Sequence, residues 1–261
     1  MSLVRPRILH SHQWPGLMPD RRRHRGPHPH DTTLFAARFH DILRTAVGDL
    51  SWLLTRGYAE PSSLKLVGDR YELNERQRRA VIRSACRDDA LTDRSARRIA
   101  PNLLYDEPVE IDGFNLLTTV EAALSGGVLL LGRDGCLRDM ASMHGSYRKV
   151  AETVPALERI GRWLAGHRVA TVHWWLDRPV SNSGRLKTVM AEMAAGHSWS
   201  WTIELDDDPD RRLIASDCLI ASADSMVLDQ CRRWCNLARH IVEETVPGAW
   251  IVDLRDEPGG G

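Results

Sequence analysis

From residue 108 onward the chain alternates short apolar runs with stretches of helical periodicity, and this constrains the fold more than any other feature. The runs are Val109–Ile111, Val128–Leu131, Val169–Leu176, Trp201–Leu205, Cys218–Ser222 and Trp250–Leu254. Helical patterns lie between several of them, at Leu117–Leu124, Val154–Leu164, Arg185–Ala195 and Met226–Val246. Strands joined through helices pair in parallel, because only a long crossover returns the chain to the same end of a sheet. The helices then cover both faces. The expected fold is α/β, with a mostly parallel sheet sandwiched by helices and an all-helical basic region before it.

That earlier region has a different period. Phe39, Leu43, Val47, Leu50 and Leu54 recur at three- and four-residue steps until Gly57, as one buried helix face requires. Pro61-Ser62-Ser63 opens a short helix ending near Gly68. Asn74 and Gln77 have capping-box spacing ahead of a helix from Glu75 to about Asp88. Arg76, Arg79, Arg83 and Arg87 fall on one face of that helix. They form a candidate phosphate-tracking surface, with an ordinary solvated face as the plain alternative. The expected division is a flexible basic arm at 1–31, a helical basic domain at 32–106, an α/β domain at 107–255 and a flexible tail at 256–261.

Net charge is zero over the 261 residues, but the balance is uneven. Residues 1–100 hold 19 basic and 11 acidic side chains, and the remainder hold 16 and 24. A basic first part expects an anionic partner, here RNA. Its helices have two further open roles, capping the sheet or forming a homodimer. The five cysteines are an odd number without a CxxC pair, which points to reduced thiols. Cys231 and Cys235 have the spacing of neighbouring turns of one helix. No apolar run nears the ~20 residues of a membrane span, and no signal-peptide core is present. A soluble cytoplasmic protein without a membrane partner is the expectation.

In an open parallel sheet, ligands bind beyond the carboxyl ends of the strands. Those positions are repeatedly acidic: Asp112, Asp134, Asp139, Asp177, Asp206–Asp208 and Asp224, with Asp229 soon after. Carboxylates that converge raise one another's pKa values unless a cation compensates them. Mg²⁺ or Mn²⁺ takes oxygen ligands of this kind and serves phosphoryl transfer or phosphodiester hydrolysis. Single aspartates also serve as loop and N-cap residues. Other acidic or nucleotide architectures lack their motifs: position 114 is Phe where an aspartyl phosphatase needs Asp. No P-loop, HExxH, GxSxG or GxGxxG occurs either. Candidate metal ligands are Asp112, Asp177, Asp224 and Asp229. Arg138, His144, Tyr147 and Arg148 cluster near Asp139 in sequence and are candidates for holding phosphate. Ser181-Asn182-Ser183-Gly184, followed by Arg185 and Lys187, has the pattern of an anion site at a helix start. Trp199 and Trp201 alternate along one run; core packing is the default for the tryptophans, with stacking of unpaired bases the sharper alternative for these two.

Ile111-Asp112-Gly113-Phe114-Asn115-Leu116-Leu117 resembles the opening strand and turn of the NYN branch of PIN-like nucleases. Ile220-Ala221-Ser222-Ala223-Asp224-Ser225 resembles that fold's later strand, which ends in Ser/Thr-x-Asp. The resemblance covers roughly residues 108–255. It implies a PIN-like fold in which Asp112 supports metal, Asn115 shapes the turn and Asp224 adds an acidic ligand. The resembled fold also carries an acidic residue on the helices after its first strand, here Glu121 or Asp139, and the catalytic candidates are then Asp112, Asp139, Asp177 and Asp224. The activity it implies is metal-dependent hydrolysis of RNA phosphodiester bonds. A non-catalytic RNA- or partner-binding module with a degenerate site is the alternative, and a phosphatase or nucleotide hydrolase a further one. More broadly, the chain resembles a prokaryotic family of paired domains of unknown function. That likeness rests on Arg56-Gly57-Tyr58, Leu66-Val67-Gly68-Asp69-Arg70-Tyr71 and Arg133-Asp134-Gly135, and on Asp177-Arg178-Pro179-Val180-Ser181-Asn182-Ser183-Gly184.

Overall fold

The computed structural model describes residues 26–140 and 147–255. Helices α1 (Asp31–Leu34), α2 (His40–Thr55), α3 (Glu60–Arg70), α4 (Glu75–Ser84) and α5 (Asp88–Arg97) form the first region. The α2 stripe buries Leu43, Ala46, Val47 and Leu50, the spacing of a core-facing helix face. At the start of α4 the Gln77 N–H donates to Asn74 Oδ1 at 3.0 Å, and the Asn74 N–H donates back to Gln77 Oε1 at 3.3 Å. The capping box therefore forms where its spacing predicts.

After β1 (Pro108–Asp112) come α6 (Gly113–Leu124), β2 (Leu129–Leu131), β3 (Leu137–Asp139) and α7 (Thr153–Gly166). They are followed by β4 (Thr171–Asp177), α8 (Ser183–His197), β5 (Trp201–Asp206), α9 (Pro209–Ala215) and β6 (Leu219–Ala221). Last come α10 (Ser225–Gln230), β7 (Trp234–Cys235), α11 (Leu237–Thr245) and β8 (Ile251–Asp253). The main sheet is five-stranded and parallel, in the order β5-β4-β1-β6-β7. On one face Val109, Ile111, Trp174, Leu176 and Ala221 pack with residues of α6, α7, α8 and α11. On the other, Ile220 and Trp234 pack against Leu213 of α9 and Val227 and Leu228 of α10. Both faces are covered, as alternation along a parallel strand demands.

A smaller sheet has the order β3-β2-β8, with β2 antiparallel to β3 and parallel to β8. Leu130 and Val252 enter one apolar cluster with Leu43, Val47, Leu50 and Val81 of the first helices. Leu129, Leu131 and Leu137 enter the cluster of the main sheet and α6. The run Leu129-Leu130-Leu131 is wholly buried because it has a hydrophobic layer on each side. This small sheet joins the helical region to the α/β region.

Two expectations are corrected here, and a third reading is decided. The segment Met226–Val246 is not one helix: α10 stops at Gln230, and Trp234–Cys235 joins the sheet beside Ile220–Ala221. Trp234 is fully buried and its indole N–H donates to the Arg94 carbonyl at 2.8 Å, so tertiary burial outweighs continued helical periodicity. Cys231 caps α10 while Cys235 lies on β7, so the two do not share a helix. Trp199 lies across Gly161 of α7, where a Cβ would stand 2.2 Å from the indole, and it stacks on Trp201 at 4.8 Å. Both tryptophans pack against the main core, the default reading for the tryptophans.

Candidate active site

The chain runs from β1 out to β4 and β5, then returns to the other side of β1 at β6. The reversal leaves a crevice beyond the carboxyl ends of β1 and β6, the usual ligand position in such sheets. Asp112 ends β1 and caps α6, accepting the Asn115 N–H at 3.4 Å. Gly113 follows because nothing larger fits: a Cβ there would lie 2.5 Å from the Leu176 side chain and 2.6 Å from the Trp175 carbonyl. The backbone of α6 thus begins in close contact with β4, and that contact requires glycine.

The two sequence motifs are bonded to each other across the crevice. Ser222 Oγ donates to Asp112 Oδ2 at 2.8 Å, and the Ala223 N–H donates to Asn115 Oδ1 at 2.9 Å. Asn115 therefore ties the turn after β6 to the start of α6. Asp224 caps α10, accepting the Met226 N–H at 2.8 Å and the Val227 N–H at 3.3 Å.

Asp112 is 8% exposed. Burial pushes its carboxyl up, the Ser222 hydroxyl pulls it down, and the charges of Asp210, Asp224 and Asp177 push it up again, to about 7. Asp210, at the start of α9, is raised to about 6 by burial and then by Asp224, Asp177 and Asp208. Asp177, at the end of β4, is raised by burial foremost and by Asp208. The structure thus brings Asp112, Asp177 and Asp224 to one edge of the sheet and adds Asp210, a residue the sequence reading passed over. Its signal was present in Asp208-Pro209-Asp210, a helix start directly after a strand. In these side-chain positions, no group of three or more His, Cys, Asp and Glu among the described residues is placed to hold a metal ion.

The remaining candidates are placed elsewhere or bound to other partners. Asp139 lies on β3 of the small sheet, where Thr118 and Thr119 donate hydroxyls to it at 3.1 and 3.2 Å. Glu121 is fully buried and accepts the hydroxyls of Tyr147 and Thr153, each at 2.6 Å. Asp229 accepts Arg94 Nε at 2.7 Å. Arg138 is buried, donating to both oxygens of Asp134 at 2.9 and 2.7 Å and to the Ala223 carbonyl at 2.8 Å. It holds the turn before Asp224 from behind instead of facing the crevice. His144 lies outside the described residues.

Ser183 donates its hydroxyl to the carbonyls of Asp177 and Val180, so it fixes the β4–α8 turn. Ser181 accepts the Tyr147 N–H through its carbonyl at 3.1 Å. Asn182 and Arg185 line a cavity with Arg148, whereas Lys187 does not. The expected arginine face is not assembled. Arg76 is bonded to the buried Asp31 and Arg79 to Glu75. Arg83 is half-buried on the same helix. Arg87 lies beyond the end of α4 and pairs with Asp89, because the backbone turns extended at Ala85. No described helix is long and apolar enough to cross a membrane.

The uncharacterised protein MJ0935 of Methanocaldococcus jannaschii is 26% identical over 188 residues, covering 71% of this chain and 88% of that protein. No solved structure matches the chain. The family model described as protein of unknown function DUF434 matches residues 42–97, which run from α2 through α5. A second model matches residues 101–240 and takes in all five strands of the main sheet together with both bonded motifs. By that match the chain belongs to the family described as domain of unknown function DUF5616.

Proposed function

We propose that the carboxylate edge is the active site of a metal-dependent, PIN-like nuclease that hydrolyses RNA phosphodiester bonds. One observation carries the reading: Asp112, Asp177, Asp210 and Asp224 gather at the switch point, where burial foremost and then the charges of the other three raise Asp112 to about 7. Perturbed carboxylates in a crevice are far more useful to chemistry than to stability. The donor set is all oxygen, which fits Mg²⁺ or Mn²⁺. Asp177 and Asp210 are half-buried, so their side chains are free to turn toward an ion. When bound, such an ion supplies Lewis acidity toward a phosphoryl oxygen.

The chain's own residues set the rest. Ser222 and the Asn115 N–H orient the Asp112 carboxylate, while Asn115 and Arg138 hold the Ala223–Asp224 turn against it. The cysteines Cys86, Cys136, Cys218, Cys231 and Cys235 are free thiols, in keeping with a reducing, cytoplasmic setting. The test is cleavage of labelled RNA by the purified chain with Mn²⁺, beside Asp112→Asn. Loss of at least about 100-fold in rate is expected for the variant, as for removal of a group acting on the transition state. Equal cleavage by both proteins, or none by the wild type, overturns the reading.

A further inference from the structure

A second concave site lies where the chain enters α8, next to Asp177. It is a cavity of about 310 Å³ lined by Arg148, Lys149, Asn182 and Arg185 together with Leu186 and Val189. Its walls are tied together: the Tyr147 N–H donates to the Ser181 carbonyl, and Asn182 Nδ2 donates to the Tyr147 carbonyl at 2.9 Å. Asn182 has φ of 72°, a left-handed conformation that Asn tolerates better than most residues. The segment at 147–149 is also anchored from behind. The Tyr147 ring lies 5.2 Å from that of Phe114, in the Asp112 motif, and its hydroxyl donates to Glu121.

Among the described residues, no acidic side chain lines this cavity. Lys149 is lowered from its ordinary value by burial first and then by the Arg185 charge, with Glu192 opposing too weakly to offset them. Three cations therefore line one cavity, with the Glu192 charge offsetting them only in part, an arrangement that a bound anion relieves. Guanidinium groups bind phosphate oxygens through paired N–H bonds. The volume is at the low end for small-ligand pockets, enough for one phosphorylated sugar unit and too small for a length of chain.

We propose that this pocket binds a phosphomonoester, carried by the end of a polynucleotide or by a mononucleotide. Its connection to RNA rests on the nuclease reading above; recognition of the phosphate does not. The pocket thereby sets where an RNA end sits relative to Asp177 and the carboxylate edge. It also revises the expected anion site, because Lys149 joins while Ser183 and Lys187 leave.

The test measures binding by the full chain in a metal chelator, so that no turnover enters. A 5′-phosphorylated oligoribonucleotide labelled at its 3′ end is compared with its 5′-hydroxyl twin by fluorescence anisotropy. A nucleoside 5′-monophosphate and inorganic phosphate serve as competitors. The phosphorylated strand should bind about tenfold tighter, the worth of a charge-assisted hydrogen bond. Lys149→Gln and Arg185→Gln, each shown to fold by its melting curve, should remove that preference. Competition by the monophosphate at the same strength as the strand assigns the pocket to mononucleotides; weaker competition assigns it to chain ends. Equal binding of both strands with no competition by either phosphate overturns the proposal. Binding without any RNA cleavage in Mn²⁺ would overturn only the nuclease reading.

Discussion

Two aspartates in this chain are buried to nearly the same degree, Asp112 at 8% and Asp134 at 5% exposure, yet they titrate in opposite directions. Asp134 accepts Arg94 Nη1 at 2.6 Å, both Nη atoms of Arg138 and the Cys136 N–H at 3.1 Å. Burial pushes its carboxyl up, but Arg138 and Arg94 outweigh that and hold it well below the usual carboxylate range. Asp112 has a serine hydroxyl and a long backbone contact, and its charged neighbours are carboxylates. Desolvation costs both groups alike, so the sign of the neighbouring charges decides the outcome. Asp134 is a joint that binds α5 of the helical region to the small sheet. Asp112 is an unrelieved charge, and such groups cluster where chemistry is done.

The largest effect that would sharpen this contrast is Asp134→Asn. It leaves Arg94 and Arg138 without their shared counter-charge, and about 3–5 kcal/mol of stability should be lost near neutral pH. Denaturant unfolding measures this, and a loss under about 1 kcal/mol would break the comparison. Asp112→Asn should act in the opposite direction. Its carboxyl titrates at about 7 when folded, against 3.8 as the ordinary value. Between those values the folded chain keeps a proton that the unfolded chain has released, so stability falls as pH rises through the window and stays lower above it. The variant's advantage should grow across the same window, to no more than about 4 kcal/mol above pH 7. A pH-independent difference between the two proteins would sink this account. On the proposed function, Mg²⁺ should raise the melting temperature of the wild type more at the alkaline end than at the acid end.

The smallest expected effect belongs to Asn115→Ala. Removing Oδ1 leaves the Ala223 N–H without its acceptor, at about 1–3 kcal/mol. Thermal unfolding reads that loss. On the proposed function, RNA cleavage should fall by more than the stability change accounts for, since the bond spaces Asp112 from Asp224. Unchanged cleavage would mean that Asn115 shapes the turn without serving the site.

Much of this was legible in the residues, for reasons that differ from element to element. The six apolar runs of the second half all became strands, because buried parallel strands are apolar on both faces and stand out without alternation. Asp112 and Asp224 were found because a strand end followed by a capping residue has a local signature. Asp208-Pro209-Asp210 marks a helix start, but what sets Asp210 apart is burial and then the charges of Asp224 and Asp177, neither a chain neighbour. Arg138 was read as a phosphate contact for the same reason. Nothing nearby in the sequence reveals that it faces Asp134 and the Ala223 carbonyl. The break of the last helix at β7 was hidden because Trp234 is buried by residues of other elements, among them Ile220 and Leu213.

By itself the sequence determined the helical first region, the parallel α/β second region and the aspartates at its strand ends. These are set by period and by neighbours along the chain, which act over a few residues. Only the tertiary structure decided which of those aspartates stand together. It also decided which arginines are spent on ion pairs, and which three cations line one cavity. Charges interact through space, across the sheet order β5-β4-β1-β6-β7, and the linear order of the residues does not contain those distances.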